Sequence, residues 1–285
     1  MSRELISRGS TGDVFAVSNG IRITAVKVLD SRRAARLITS VETAYHREVK
    51  ALSVVSHRNI VSLVAHEQLS PSEFSISITF CGGGSLFTHL YKRENPDLTL
   101  KQKKKIFNDL INAVRYLHSL PDPIIHGDLK SLNVLFMSPI NTLEVVPWVK
   151  LCDFGSSKFQ SDPPLMGTVT VGTAQWMSPE LVTGGVYGCP TDIYSLAMVF
   201  YEICRRDVPF GKIEENVVLG MIVRGDRPAL PVASLESGCI RGIAPVLHQC
   251  WAEKPESRPS IERLSELMND IFLSSALTGQ FVSAP

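Results

Sequence analysis

The sequence has 285 residues, 44% of them hydrophobic, and a formal net charge of +1. That length holds one large domain or two lobes around a cleft, and that apolar content buries a core, which excludes disorder as the default. A balance this near neutral gives no reason to expect nucleic acid or an acidic membrane surface as a partner.

The opening "MSRELISRGS" lacks the apolar core of a signal peptide, and Ser2 excludes N-myristoylation. No run of about 18 apolar residues is present, so no membrane span is expected. The six cysteines, Cys81, Cys152, Cys189, Cys204, Cys239 and Cys250, show neither a CxxC pair nor a His at zinc spacing. They read as reduced thiols of a cytoplasmic protein.

Residues 1–80 are rich in strand signals. "VFAVSN" and "IRITAVKVL" are apolar or alternating runs joined at Asn19-Gly20, a tight-turn signal. A helix is expected from about Val41 to Val55, then strands in "IVSLVAHEQ" and "FSISITF". "CGGG" at 81–84 reads as a flexible connector. Beyond it helices dominate. Ile106, Leu110, Val114 and Leu117 recur at three- and four-residue steps, one buried stripe of a helix over 100–118. The basic run "KQKKK" at 101–105 opens that helix and reads as a solvated face rather than a binding patch. The segment 191–206 is a nearly apolar, buried helix, and further helices follow at about 215–224, 240–251 and 260–273. "SSALTGQFVSAP" is expected as a frayed tail over 274–285. The expected fold is α+β: a small, mostly antiparallel β-lobe with one helix over 1–80, a hinge at 81–84, and a larger helical lobe over 85–273.

Several short stretches carry chemistry. In "SRGSTGDV" at 7–14, Gly9 and Gly12 sit in a turn between strands, where backbone N–H groups can approach phosphate oxygens; a plain hairpin uses glycines in the same way. In "AVKVL", alternation puts Lys27 on the opposite sheet face from Val26 and Val28 and on the same face as Ala25. Alone it reads as an exposed strand lysine, and Glu48 as a surface helix glutamate. "HGDLKSLN" at 126–133 brings Asp128, Lys130 and Asn133 together, and "KLCDFGSS" at 150–157 adds Asp153. Phosphoryl transfer to an alcohol needs one carboxylate to accept the hydroxyl proton and another to hold Mg²⁺, a hard cation that prefers oxygen ligands.

In this order and spacing, these stretches resemble a eukaryotic protein kinase domain, from near Ser7 to about Leu273. "SPE" at 178–180 resembles the end of an activation segment. "TDIYSLAM" resembles the helix whose Asp192 braces the catalytic loop, and Arg258 resembles the arginine that pairs with the glutamate matched by Glu180. The resemblance implies ATP and Mg²⁺ as cofactors and protein substrates. It implies Gly9 and Gly12, with Ser7 in the place of a further glycine, over the phosphates. Lys27 would bind the phosphates and pair with Glu48. Val14, Ala25 and Leu135 would sandwich adenine, Ile78 would be the gatekeeper, and Thr79 to Cys81 the hinge. Asp128 would be the catalytic base and Lys130 would steady the γ-phosphate. Asn133 and Asp153 would hold Mg²⁺. Leu52, Leu63, His126 and Phe154 would stack as a column between the lobes. Lys130 and Thr173 match the serine/threonine type, while "WM" before "SPE" and "CW" before "RP" resemble tyrosine kinases. The mixture is similar to the tyrosine-kinase-like group, which mostly phosphorylates Ser and Thr.

The sequence departs from that pattern at defined points. Ser7 replaces a loop glycine and is expected to weaken ATP binding. Residues 138–148 lengthen the turn between two short strands. Gly127 stands where the family carries Arg, whose guanidinium binds a phosphate on the activation segment. Activity is therefore expected to be independent of that switch, although Ser161, Thr168 and Thr170 could carry phosphate. The alternatives are a pseudokinase scaffold with little turnover and a kinase of small-molecule alcohols. The sequence names no scaffold or regulatory partner.

Overall fold

The computed structural model describes residues 2–9, 12–34, 41–163, 174–230 and 238–277, with backbone alone at 34, 238–241 and 275–277. Thr168, Thr170 and Thr173 lie outside the described residues, as does the side chain of Cys239.

The first lobe is a five-stranded antiparallel sheet of β1 (Ser2–Arg8), β2 (Gly12–Ser18), β3 (Ile23–Asp30), β4 (Leu63–Ser70) and β5 (Glu73–Thr79), in the order β1-β2-β3-β5-β4. The expected turn at Asn19-Gly20 is present. The Asn19 side-chain oxygen accepts the N–H groups of Ile21 and Arg22, and Gly20 takes φ 87°, the left-handed region that glycine enters without steric cost. Helix α1 (Val41–Val54) packs Tyr45, Ala51 and Leu52 inward.

The connector at 81–84 is not loose. The Gly82 and Gly83 N–H groups donate to Met137 and Phe136, and the Gly84 carbonyl accepts from Phe136. A Cβ on Gly83 would run into the Ser138 backbone. The glycines serve close approach of two backbones rather than flexibility.

The second lobe holds α2 (Leu86–Tyr91), α3 (Leu100–His118), β6 (Ile124–Ile125), β7 (Val134–Phe136), β8 (Val149–Leu151), β9 (Lys158–Phe159), α4 (Pro179–Val182), α5 (Cys189–Arg205), α6 (Glu215–Val223), α7 (Gly238–Cys250) and α8 (Ile261–Leu277). A reciprocal capping box starts α3: the Gln102 N–H donates to the Thr99 hydroxyl, and the Thr99 N–H to the Gln102 side chain. Its stripe of Ile106, Leu110, Val114 and Leu117 is buried as expected, each such side chain contributing roughly 1.5–3 kcal/mol. Helix α5 is buried almost all round and forms the centre of this lobe.

Two boundaries differ from expectation. Ile60 and Val61, read as the start of a strand, lie before β4 and tie the lobes together. Val61 N–H donates to the Leu151 carbonyl and Leu151 N–H to that of Asn59. Helix α8 runs to Leu277, past the expected start of the tail; residues 278–285 lie outside the described residues. Among the described residues, no helix is long and apolar enough to cross a membrane.

Candidate active site

Lys27 joins three elements. Its Nζ lies 2.8 Å from Glu48 Oε2 on α1 and 2.8 Å from Asp153 Oδ1, just after β8. Strand alternation aims it there, in register with Val14 and Ile76. Burial disfavours the ammonium, but the Asp153 and Glu48 carboxylates outweigh it and raise the Lys27 pKa. The same ammonium holds Asp153 well below the usual carboxylate range. Glu48 is buried and pushed up, with Lys27 opposing. Asp153 takes φ 66°, a costly backbone for a residue with a Cβ and one that clusters at functional sites.

The catalytic-loop candidate hangs from a single carboxylate. Asp192 on α5 accepts the backbone N–H of His126 at 2.9 Å and of Gly127 at 3.0 Å, and its Oδ2 meets His118 Nε2 at 2.9 Å. Gly127 adopts φ 74° in consequence. Lys130 Nζ donates to Asp128 Oδ2 at 2.7 Å. The Asn133 amide donates to the Asp128 carbonyl at 2.9 Å and to Oδ2 at 3.2 Å, which turns the Asn133 oxygen the other way. Burial raises the Asp128 pKa against the pull of Lys130, a shift that makes a better base.

Cation-binding oxygens are few. Among the described residues, no group of three or more His, Cys, Asp or Glu could hold a metal. One carboxylate, Asp153, and the Asn133 oxygen remain. That set suits Mg²⁺, which takes one or two protein oxygens and completes its shell with waters and substrate phosphates.

The nucleotide-pocket candidates line the sheet side. Ala25 and Ile78 are buried and directly cross-strand, and Val14 and Leu135 are half-buried. The Thr79 N–H is engaged by the Ser62 carbonyl at 3.0 Å, so Thr79 cannot offer it to a ligand. Cys81 is half-buried, its thiol pushed up to about 11 by burial. Gly9 donates its N–H to the Gly12 carbonyl at 2.8 Å. A Cβ on Gly12 would collide with the Val28 carbonyl, so this glycine is required by strand packing whatever it covers. Ser7 is exposed on β1, opposite Val14. In the expected column, Leu52, His126 and Phe154 are buried, Leu63 is half-buried, and the His126 and Phe154 rings stand 4.7 Å apart.

The Glu180–Arg258 pair forms as expected, bidentate at 2.7 and 2.8 Å. Glu202 did not stand out in the sequence. Its buried carboxylate accepts Ser131 Oγ at 2.7 Å, Tyr91 OH at 2.9 Å and Trp176 Nε1 at 2.6 Å. It links the catalytic-loop candidate, α2 and the turn before α4. A lone Glu inside the apolar run of α5 was its one visible signal.

A family model described as the protein kinase domain matches residues 2–272. The chain is 29% identical over 95% of its length to RGS domain-containing serine/threonine-protein kinase A of Dictyostelium discoideum. It is 31% identical over 94% to mitogen-activated protein kinase kinase kinase 7 of Drosophila melanogaster, and 27% identical over 93% to serine/threonine-protein kinase STY17 of Arabidopsis thaliana. It spans 22%, 37% and 43% of those proteins' own lengths. With a β-rich lobe, a mainly helical lobe and a family match over residues 2–272, the chain belongs to the protein kinase family.

Proposed function

We propose that this chain transfers the γ-phosphoryl group of ATP to Ser and Thr hydroxyls of protein substrates. The observation that carries the reading is Lys27, held at 2.8 Å from both Glu48 and Asp153. An inactive arrangement would part Lys27 from Glu48, because the pair must be in place for catalysis. In this reading Lys27 positions the α- and β-phosphates, Gly9 and Gly12 lie over them, and Lys130 steadies the γ-phosphate. Ala25, Val14 and Leu135 enclose adenine against Ile78, and the segment from Thr79 to Cys81 borders it. Asp153 and Asn133 would hold Mg²⁺, which would supply positive charge against the phosphates. Asp128 accepts the hydroxyl proton, its basicity raised by burial.

Serine/threonine specificity is supported by Lys130, whose ammonium sits on Asp128, and by the names of the Dictyostelium and Arabidopsis relatives. The assembled Lys27 set speaks against a scaffold without turnover. A purified chain given radiolabelled ATP, Mg²⁺ and a generic basic protein should transfer label, and Asp153→Ala should abolish it. Phosphoamino-acid analysis should find phosphoserine or phosphothreonine; phosphotyrosine alone, or no transfer by the unmodified chain, would overturn the reading.

A further inference from the structure

The loop over 138–148 does more than join β7 to β8. It folds back along α3 and leaves a groove of about 460 Å³, within the range of ligand-sized pockets. Gln102 builds it: its buried amide donates to the Thr142 carbonyl at 3.2 Å and the Val145 carbonyl at 2.9 Å, fixing the loop to the helix.

The two walls differ in chemistry. The loop wall is apolar, with Leu143 60% and Val146 63% exposed. The helix wall is basic. Lys101, Lys104 and Lys105 share one face at i, i+3 and i+4. Lys105 is neutralised by Asp109 at 2.6 Å, and Lys104 lies over the Phe272 ring. Lys101 has no ion-pair partner among the described residues. Glu144 is the loop's own acid.

These lysines sit at the wrong end of the helix for its stability. The N-terminus of a helix carries partial positive charge and favours acids, yet the first turn of α3 contains none. Lys101, Lys104 and the helix end therefore add to a positive field, opposed by Glu144, beside an exposed apolar wall. The concave form favours an inserted chain over a flat bilayer surface.

We propose that this groove docks a short segment of a partner protein that carries carboxylates beside apolar side chains. The apolar side chains cover Leu143 and Val146, and the carboxylates meet Lys101, Lys104 and the first turn of α3. The proposal is independent of the chemistry in the cleft.

The test is a displayed random-peptide library selected on the full chain and counter-selected on the double variant Leu143→Ser/Val146→Ser. The expected result is enrichment of sequences mixing Asp or Glu with Leu, Ile, Val or Phe. A labelled synthetic copy of an enriched peptide should lose at least tenfold in affinity on Leu143→Ser/Val146→Ser and on Lys101→Glu/Lys104→Glu. Its affinity should also weaken with salt. Both variants should retain the phosphoryl transfer of the unmodified chain, since all four positions lie apart from Lys27, Asp128 and Asp153, and circular dichroism should show both folded. Enrichment of basic or uncharged peptides, no peptide that separates chain from variants, or binding only after removal of residues 278–285 would overturn the proposal. The last result would assign the groove to the chain's own terminus. Adsorption to phosphatidylserine vesicles, lost in the variants without any peptide enrichment, would overturn it in favour of a membrane.

Discussion

The Asp192 carboxylate accepts the backbone N–H of Gly127 at 3.0 Å and thereby sets the turn that carries Asp128. Asp192→Asn keeps the shape but presents an NH₂ group where an N–H or the His118 ring now donates. Losing part of a buried, charge-assisted network costs about 3 kcal/mol. We expect urea unfolding to show that loss, and phosphoryl transfer to fall at least tenfold. An unchanged rate would remove Asp192 as the brace.

His118 makes the same network pH-dependent. Burial disfavours its charge, but the hydrogen bond that its ring donates to the Asp192 carboxylate prevails and raises its pKa to about 10. A raised folded-state pKa means stability that is fully present below the unfolded value of about 6.5 and lost as pH rises towards 10. The unfolding free energies of the unmodified chain and His118→Gln should therefore converge between those pH values. A gap that widens with pH would contradict the pairing.

Gly127 carries a backbone that other residues resist. At φ 74°, with a Cβ placed 2.8 Å from the Ser156 carbonyl oxygen, Gly127→Ala should destabilise the chain by about 1–2 kcal/mol in chemical denaturation. With no guanidinium at this position, Thr168→Ala/Thr170→Ala should keep a steady-state rate within a few-fold of the unmodified chain. A loss of activity that acidic residues at those positions restore would show a phosphate receiver elsewhere.

Glu202 is the buried junction that holds Ser131, Tyr91 and Trp176 together. Glu202→Leu orphans three donors at once and should cost roughly 3–5 kcal/mol in denaturant unfolding, with Glu202→Gln costing less. Equal stabilities of the two variants would show that the donors find other partners.

Cys152 lies directly before Asp153, and burial pushes its thiol pKa well above the ordinary value. Only the thiolate reacts. Free iodoacetamide at neutral pH should leave it unmodified, while a mild electrophile carried on an adenine mimic should add to it, faster as pH rises. Intact-mass analysis with no adduct after long incubation would exclude access from the cleft.

Much of the site was legible because the family spaces it along the chain. Lys27 alone looked like an exposed strand lysine; Asp153 and Glu48 changed its meaning. Alternation gave its face correctly, since β3 keeps regular pairing with β2 and β5. Three- and four-residue steps reveal α3, because an uninterrupted helix returns to one face every 3.6 residues. Long-range polar contacts left no such trace. His118 and Glu202 belong to helices whose patterns report only burial, and their partners come from distant segments. In the sequence the connector at 81–84 reads as flexible, because glycine permits both freedom and close approach, and only the packing of Gly83 against Ser138 decides between them. The lysines at 101–105 read as solvated in the sequence because their pattern is that of an exposed helix face; the groove exists only once the 138–148 loop folds onto it.

In the proposed reaction Asp128 acts as the base of a phosphoryl transfer for which Lys27 and Asp153 hold the nucleotide. The direct measurement is steady-state transfer to a protein substrate by the unmodified chain and by Asp128→Asn, with binding of a fluorescent ATP analogue measured in parallel. Asp128→Asn should bind nucleotide within a few-fold of the unmodified chain and transfer phosphate at a rate reduced by a factor of about 100 or more. An Asp128→Asn variant that transfers phosphate at the unmodified rate would contradict it.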